Sequence, residues 1–193
     1  VYDSAETYGF DSTRIALYGV SFGGLTVATT AAIDRPEQFM TDCPHTLPDD
    51  YAVAGVVTNA GRFVANPAEV LNDPFQITYD IVKDVPLDTI NQTYLTLAEN
   101  APSAWQSLDL PEPFHVALGY YPIYWVGRGD PPHLLIHGIG DTTVPYTDSL
   151  AYADVLTASR VNVQLIFDRL SGHTVPPRIF DREMALFLDR IFE

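Results

Sequence analysis

The sequence predicts an α/β fold in which a parallel sheet is flanked by helices. Short apolar runs of strand length alternate with longer helical segments along much of the chain. The runs are continuously apolar rather than alternating with polar residues, which is typical of strands covered on both faces of a parallel sheet. The length of 193 residues and the hydrophobic content of 47% suit a single domain with a substantial core.

The predicted elements begin with the end of a helix, which Gly9 is expected to terminate. The first strand is predicted at about residues 14–18, and a buried helix of small apolar residues follows at about 23–33. The later predictions are strands at 53–58, 133–137 and 161–167, short amphipathic helical segments at 86–99 and 101–108, and helices at 146–158 and 176–192.

Three consecutive segments make up the predicted domain. Residues 1–61 carry the first two strands, and residues 131–193 carry the last two strands with the C-terminal helix. Residues 62–130 interrupt the alternation of strands and helices with prolines, short helical segments and a concentration of aromatic side chains. This insert is expected either to be an ordinary packing subdomain or to form a helical cap over an aromatic-lined pocket.

The most informative motif is the sequence Gly-Val-Ser-Phe-Gly-Gly at residues 19–24. It places a Gly-x-Ser-x-Gly pattern between a predicted buried strand and a predicted helix. In that context Ser21 is expected on a sharp turn at the carboxyl end of the strand, with its hydroxyl presented outward. Gly19 and Gly23 are expected at positions where a Cβ atom would collide with neighbouring backbone. The alternative is a turn of small residues without a chemical role.

An acid and a histidine follow at the ends of later predicted strands. Asp141 comes after the third strand and His173 after the fourth. Because the carboxyl ends of parallel strands meet at one edge of a sheet, Ser21, Asp141 and His173 are expected to lie close together there. Their order along the chain suits a triad in which His173 activates the Ser21 hydroxyl as a base and Asp141 orients the imidazole.

Simpler interpretations exist for the same residues. Asp141 precedes a predicted helix and suits a turn or a helix cap, and His173 suits an ordinary loop histidine. Two neighbouring residues are weaker candidates for the site. Asp168 ends the strand that precedes His173, rather than the strand expected to carry the acid, and His137 is expected to pack or to form a local hydrogen bond.

Composition disfavours several classes of partner and cofactor. The formal net charge of −15 argues against nucleic acid and anionic membranes, which bind basic surfaces. No apolar stretch has transmembrane length, and no signal peptide is recognised at the start. Cys43 is the only cysteine, and with His45 it provides too few ligands for a zinc site. No glycine-rich phosphate loop is recognised, so neither a metal nor a cofactor is predicted.

With these residues in view, the chain from about residue 8 to residue 193 resembles the α/β-hydrolase superfamily. The likeness is greatest to esterases related to acetyl-xylan and feruloyl esterases, and the catalytic domain of prolyl-oligopeptidase-like serine peptidases is also similar. Besides the serine motif, the likeness rests on Tyr-Gly-Phe-Asp at residues 8–11, on Tyr-Pro-Ile-Tyr at 121–124 and on His-Gly-x-x-Asp-x-x-Val-Pro at 137–145.

The resemblance carries specific expectations for the site. It implies that Ser21 is the nucleophile, Asp141 the acid and His173 the base. It also implies that the backbone N–H of Phe22 is one oxyanion donor, and that the insert lies where members of the superfamily carry a cap or lid. The expected substrate is a small-molecule ester.

The chain departs from the superfamily pattern before the serine motif. Members carry several strands ahead of the nucleophile strand, and a loop after one of them supplies a second oxyanion donor. Here only about a dozen residues precede that strand. The chain is therefore expected to form the C-terminal part of the fold, with residues 14–18 as an open apolar sheet edge. That edge is expected to self-associate or to pair with a missing N-terminal half.

Three functions remain open at this point. The first is a serine hydrolase that cleaves carboxylic esters through an acyl-enzyme on Ser21. The second is a serine peptidase of the prolyl-oligopeptidase type with the same triad. The third is a non-catalytic remnant that lacks the oxyanion loop, because losing one oxyanion donor costs on the order of 10²–10³ in rate.

Overall fold

The computed structural model describes residues 2–33, 44, 47, 51–63 and 77–193. Within these residues the chain forms a four-stranded sheet. The strands are β1 (Ala16–Val20), β2 (Gly55–Asn59), β3 (His133–Gly138) and β4 (Val163–Asp168). They lie in the order β1-β2-β3-β4, and every neighbouring pair is parallel. The predicted fold class is therefore confirmed. The pair Cys43 and His45 lies outside the described residues.

Helices connect and flank the strands. The α-helices are α1 (Ala5–Tyr8), α2 (Phe22–Ala32), α3 (Ile77–Val82), α4 (Leu87–Glu99), α5 (Glu112–Leu118), α6 (Tyr146–Ala158) and α7 (Pro177–Phe192). Gly9 ends α1 in the left-handed conformation, with φ of 69°, as its position in the sequence predicts. The segment predicted as a helix at 101–108 is a 3₁₀-helix, Pro102–Ser107.

The first strand begins later than the sequence predicts. Residues 11–14 form a turn in which the Asp11 carboxylate accepts hydrogen bonds from the N–H and the hydroxyl of Thr13. The N–H of Arg14 closes the same turn on the Asp11 carbonyl, at 3.2 Å. An aspartate that captures the backbone in this way competes with strand pairing, so β1 starts at Ala16.

The sheet is packed on both faces, as continuously apolar strands require. Alternate residues of β2 and β3 point to opposite sides, so Val56 and Leu135 join one core and Val57 and Leu134 join the other. The first core includes α2, α6 and most of the buried aromatic side chains of the insert. The second core is formed with Phe180 and Phe187 of α7 and neighbouring apolar residues.

Strand β1 lies at one edge of the sheet. Among the described residues its only strand partner is β2. The Tyr18 side chain in the middle of β1 is 50% exposed and contacts the ring of Phe180, with 4.9 Å between ring centroids. Among the described residues β1 and β4 are the two edge strands, and β1 is the edge that the sequence predicts to be open.

None of the helices in the described ranges has both the length and the apolar character needed to cross a membrane. Over the same ranges, no three histidine, cysteine, aspartate or glutamate side chains are grouped so that they could hold a metal ion.

Candidate active site

Ser21 occupies the sharp turn that joins β1 to α2. Its backbone has φ of 55° and ψ of −122°, a conformation that is uncommon for a residue with a side chain. The turn is held on both sides of this residue. The Ser21 N–H donates to the carbonyl of Asn59 at 2.9 Å, and the Ser21 carbonyl accepts from the Gly24 N–H at 2.9 Å. The serine is thus fixed between the end of β2 and the first turn of α2.

The glycines around Ser21 differ in how closely they are packed. A Cβ atom on Gly19 would overlap the carbonyl group of Gly23, so the expectation for Gly19 agrees with the structure. The same expectation for Gly23 is wrong, because a Cβ atom there would meet nothing within 4 Å. The tight position is Gly24 instead, where a Cβ atom would lie 2.9 Å from the Gly61 Cα. Helix α2 turns Gly23 away from the sheet and turns Gly24 toward it.

The three residues predicted to share the carboxyl edge of the sheet lie in hydrogen-bonding contact. His173 Nε2 is 2.9 Å from Ser21 Oγ, and His173 Nδ1 is 2.8 Å from Asp141 Oδ2. Asp141 follows β3 and His173 follows β4, so the contacts join loops from three parallel strands. The His173 side chain keeps 31% of its surface exposed, whereas the Asp141 side chain is fully buried. The histidine is therefore accessible to a ligand above Ser21.

The Asp141 carboxylate is surrounded by hydrogen-bond donors. Its Oδ1 accepts from the N–H of Thr143 at 2.8 Å and from the N–H of Val144 at 2.9 Å. Burial by itself raises the pKa of the Asp141 carboxyl, but the hydrogen bonds from Val144, His173 and Thr143 outweigh it and hold that pKa below its ordinary value. Asp141 is thus a carboxylate at neutral pH, as an acceptor for the His173 ring must be.

Two residues that the sequence analysis set aside have local partners. Asp168 accepts a hydrogen bond from the hydroxyl of Ser171 in the loop that carries His173. His137 lies 3.0 Å from Asp141 through its Nε2 atom. The local hydrogen bond expected for His137 therefore involves the acid of the candidate triad, which lies only four positions further along the chain.

Asn59, at the end of β2, is a residue of the site that sequence reasoning did not identify. Its side-chain amide donates to the Val175 carbonyl at 3.2 Å, and its side-chain carbonyl accepts from the Val175 N–H at 3.1 Å. Since the Asn59 main chain also bonds Ser21, this residue connects the serine turn to the loop that carries His173. The signal in the sequence is a single polar residue that ends an otherwise apolar strand.

A cleft of about 770 Å³ lies beside the serine turn, between α2 and the insert. Phe22, the residue after Ser21, is the first residue of α2 and lines the cleft. The backbone N–H of Phe22 belongs to the first turn of a helix, where the helix dipole favours negative charge. The other lining residues are Leu25, Thr26, Thr29, Thr30, Ile33, Glu112, His115, Val116, Gly119, Tyr120, Tyr124 and Trp125.

The parallel sheet with a serine turn, a histidine and a carboxylate at its carboxyl edge defines the class of α/β-hydrolase-like proteins. Within that class, the model of the BD-FAE family matches residues 1–156. The match covers most of the chain, so the chain belongs to the BD-FAE family. It includes Ser21 and Asp141 and ends before His173, whose place in the site is given by the geometry alone.

Solved esterase structures share the fold at low sequence identity. A truncated carbohydrate esterase from gut microbiota has a TM-score of 0.60 and 18% identity, over 99% of this chain and 64% of its own. A thermophilic esterase from Thermogutta terrifontis, with propionate bound, has a TM-score of 0.63 and 16% identity, over 98% of this chain and 60% of its own. The carboxylesterase Cest-2923 from Lactobacillus plantarum has a TM-score of 0.56 and 15% identity, over 89% of this chain and 50% of its own.

The present chain therefore spans between half and two thirds of the length of these structures. A comparison with curated protein sequences finds none that matches.

Proposed function

We propose that this protein is a serine hydrolase that cleaves carboxylic esters through an acyl-enzyme on Ser21. The observation that carries the proposal is the continuous hydrogen-bonded path from Ser21 Oγ through the His173 ring to the Asp141 carboxylate. Membership of the BD-FAE family and the esterase names of the structural neighbours support the same reaction class. A serine hydroxyl is a poor nucleophile until a base removes its proton, and the contact between His173 Nε2 and Ser21 Oγ supports His173 as that base.

The geometry supports a two-step reaction. Ser21 Oγ attacks the ester carbonyl carbon while His173 Nε2 takes the hydroxyl proton, and His173 then gives that proton to the departing alcohol as the C–O bond breaks. Water next attacks the acyl carbon, His173 takes its proton, and the proton returns to Ser21 Oγ as the acid leaves. Asp141 accepts from His173 Nδ1 throughout, which leaves Nε2 free to act as the base and stabilises the imidazolium.

The negative charge that develops on the carbonyl oxygen needs donors beside Ser21. We assign one of these to the backbone N–H of Phe22, because it follows the nucleophile directly and begins α2. The adjoining cleft, with aromatic and aliphatic side chains on most of its walls, suits the apolar acyl or aryl portion of a small ester.

The test compares purified wild-type protein with Ser21→Ala and with Ser107→Ala, which changes an exposed serine on the 3₁₀-helix Pro102–Ser107. We expect wild type and Ser107→Ala to hydrolyse p-nitrophenyl acetate or butyrate and to react with a fluorophosphonate. Ser21→Ala should lose labelling and lose turnover by on the order of 10³-fold or more.

Folded wild-type protein that neither turns over these esters nor becomes labelled would contradict the proposal. A proline-containing peptide amide belongs in the same assay, because its preferential cleavage would indicate a peptidase that uses the same three residues.

We further propose that the open edge of β1 pairs with another polypeptide, either a second copy of the chain or a segment that supplies the neighbouring strand. The main-chain groups of Ile15 and Ser21 bond toward β2, so those of the alternate residues in between point to the open edge. Among the described residues no strand pairs with that side of β1, and such an edge is a template for strand addition.

A further inference from the structure

A second histidine contacts the carboxylate that orients His173. His137 lies on β3 with no exposed surface, and its Nε2 atom is 3.0 Å from Asp141 Oδ2 and 3.0 Å from the Val144 carbonyl oxygen. Its Nδ1 atom is 2.7 Å from the hydroxyl of Ser149 on α6, which is itself buried. Both ring nitrogens therefore have polar partners inside the protein.

The partners determine where the ring proton lies. Carbonyl and carboxylate oxygens only accept, so the Nε2 atom of His137 must carry the proton and donate to Asp141 and Val144. A neutral ring then has an acceptor at Nδ1, and the Ser149 hydroxyl donates to it. One ring proton is sufficient to satisfy every group in this buried cluster.

We infer that His137 is a positioning residue for Asp141, and that Ser149 satisfies the unprotonated Nδ1 atom of the tautomer in which His137 performs this role. A carboxylate has about four acceptor positions. Thr143 and Val144 fill those of Oδ1, while His137 and His173 share Oδ2. The carboxylate is thus held at both oxygens, and its Oδ2 is directed at His173 Nδ1. The inference rests on the proposed function, because it assigns a role in orienting the base of that reaction.

The loss of the His137 donor has two expected effects. First, Asp141 would be held only through Oδ1 and His173, so the imidazole would spend less time in the productive orientation, and kcat would fall without a change in KM. Second, the carboxylate would become more basic with one donor fewer, and would attract the His173 proton more strongly. The acid limb of the rate profile would then move to higher pH.

Two substitutions separate donation from shape. His137→Gln keeps a donor and an acceptor on one side chain, whereas His137→Leu is similar in bulk and has neither. We expect His137→Leu to lower kcat roughly 10- to 100-fold, the equivalent of one hydrogen bond to a charged group, and to shift the acid limb upward. His137→Gln should retain most of kcat, and the acid limb of its pH–rate profile should stay where it is in the wild type. The ionisable side chains within this hydrogen-bonded path are His137, Asp141 and His173.

The inference is overturned if folded His137→Leu keeps wild-type kcat and pH profile, or if Gln and Leu reduce kcat equally. An independent measurement uses the unmodified protein with ¹⁵N-labelled histidine. Two-bond ¹⁵N–¹H correlation spectra should show His137 protonated at Nε2 and not at Nδ1. A proton on Nδ1 alone would contradict the inference even if neither variant folds. This readout needs no activity, so it stands apart from the test of ester hydrolysis.

Discussion

At the scale of single residues, the site depends on a backbone that is held in an uncommon conformation. Ser21 has a positive φ although it is not a glycine, and such residues persist only where the surroundings fix them. Here the surroundings are the Asn59 carbonyl, the first turn of α2 and the absence of a side chain at Gly19. The fixed turn presents the serine hydroxyl to His173.

Gly19 and Gly23, the two glycines of the Gly-x-Ser-x-Gly pattern, should respond in opposite directions to replacement by alanine. We expect Gly19→Ala to destabilise the protein by on the order of 3 kcal/mol, because the new methyl group overlaps the Gly23 carbonyl and the backbone must shift. Gly23→Ala should stabilise the protein by about 0.5–1 kcal/mol, because it meets no neighbour and alanine favours the helix. Urea unfolding midpoints measure both changes. Equal destabilisation by both variants would show that the two positions are equally confined.

Residues at strand ends were the predictable part of the site. Ser21, Asp141 and His173 each follow an apolar run, and parallel topology brings such positions to one edge. Asn59 was not predictable, because its role depends on a side-chain contact with Val175, 116 residues away. For His137 a local hydrogen bond was predictable, but its partner and the link to Ser149 on α6 emerge only from three-dimensional packing.

At the scale of elements, β3 contains a buried histidine that is kept neutral. Burial lowers the pKa of His133 from 6.5 to about 4, although its hydrogen bond to the Pro131 carbonyl works in the opposite direction. Its Nδ1 atom lies 2.8 Å from the Pro131 carbonyl oxygen, and its Nε2 atom lies 3.3 Å from the Tyr152 hydroxyl. An imidazolium has no anionic partner among these contacts, so charging the ring is unfavourable in the folded state.

His133 should make stability depend on pH in a defined window. In the unfolded chain His133 binds a proton below pH 6.5, whereas in the folded chain it does so only below about 4. The contribution of His133 to the free energy of unfolding is therefore fully present above pH 6.5 and is lost as the pH falls toward 4. The loss from this group is on the order of 3 kcal/mol. Urea unfolding at several pH values should show this slope, and His133→Phe should flatten it.

An unchanged slope in His133→Phe would mean that other groups cause the dependence. Asp141 contributes in a separate window, because its pKa is lowered in the folded state and its contribution is lost only below its ordinary value of 3.8.

Element types were easier to predict than their limits and their tertiary roles. Helix α6 has the predicted bounds because its helical pattern is long, and β1 was displaced because Asp11 forms a turn with its own neighbours. Aromatic residues of the insert, such as Phe114 and Tyr121, were expected to line a pocket or pack in a subdomain. They are buried in the core that also contains residues of α2, and the cleft lies between α2 and the insert.

At the scale of the whole molecule, the open edge of β1 should govern association. We expect light scattering to give a particle mass in solution above the 21.3 kDa of one chain. Tyr18→Lys places a charge on the edge strand, where it opposes strand addition, and should shift the protein toward a monomer. Tyr94→Lys alters a tyrosine of similar exposure on α4 and is the matched control.

A monodisperse monomer at high concentration in the wild type would contradict association with a second copy of the chain. Equal effects of the two lysine variants would assign the association to another surface.

The order of the strands gives the serine a further property, which concerns how the protein folds. Ser21 follows β1 and His173 follows β4, the two outer strands of the sheet, 152 residues apart in the chain. At about 4.8 Å between neighbouring strands, roughly 14 Å of sheet must be assembled before the two side chains can meet. Contacts between such distant parts of a chain carry a large loop-closure cost, which slows their formation. Under the proposed function, fluorophosphonate labelling of Ser21 during refolding should therefore appear only after the four described strands have paired.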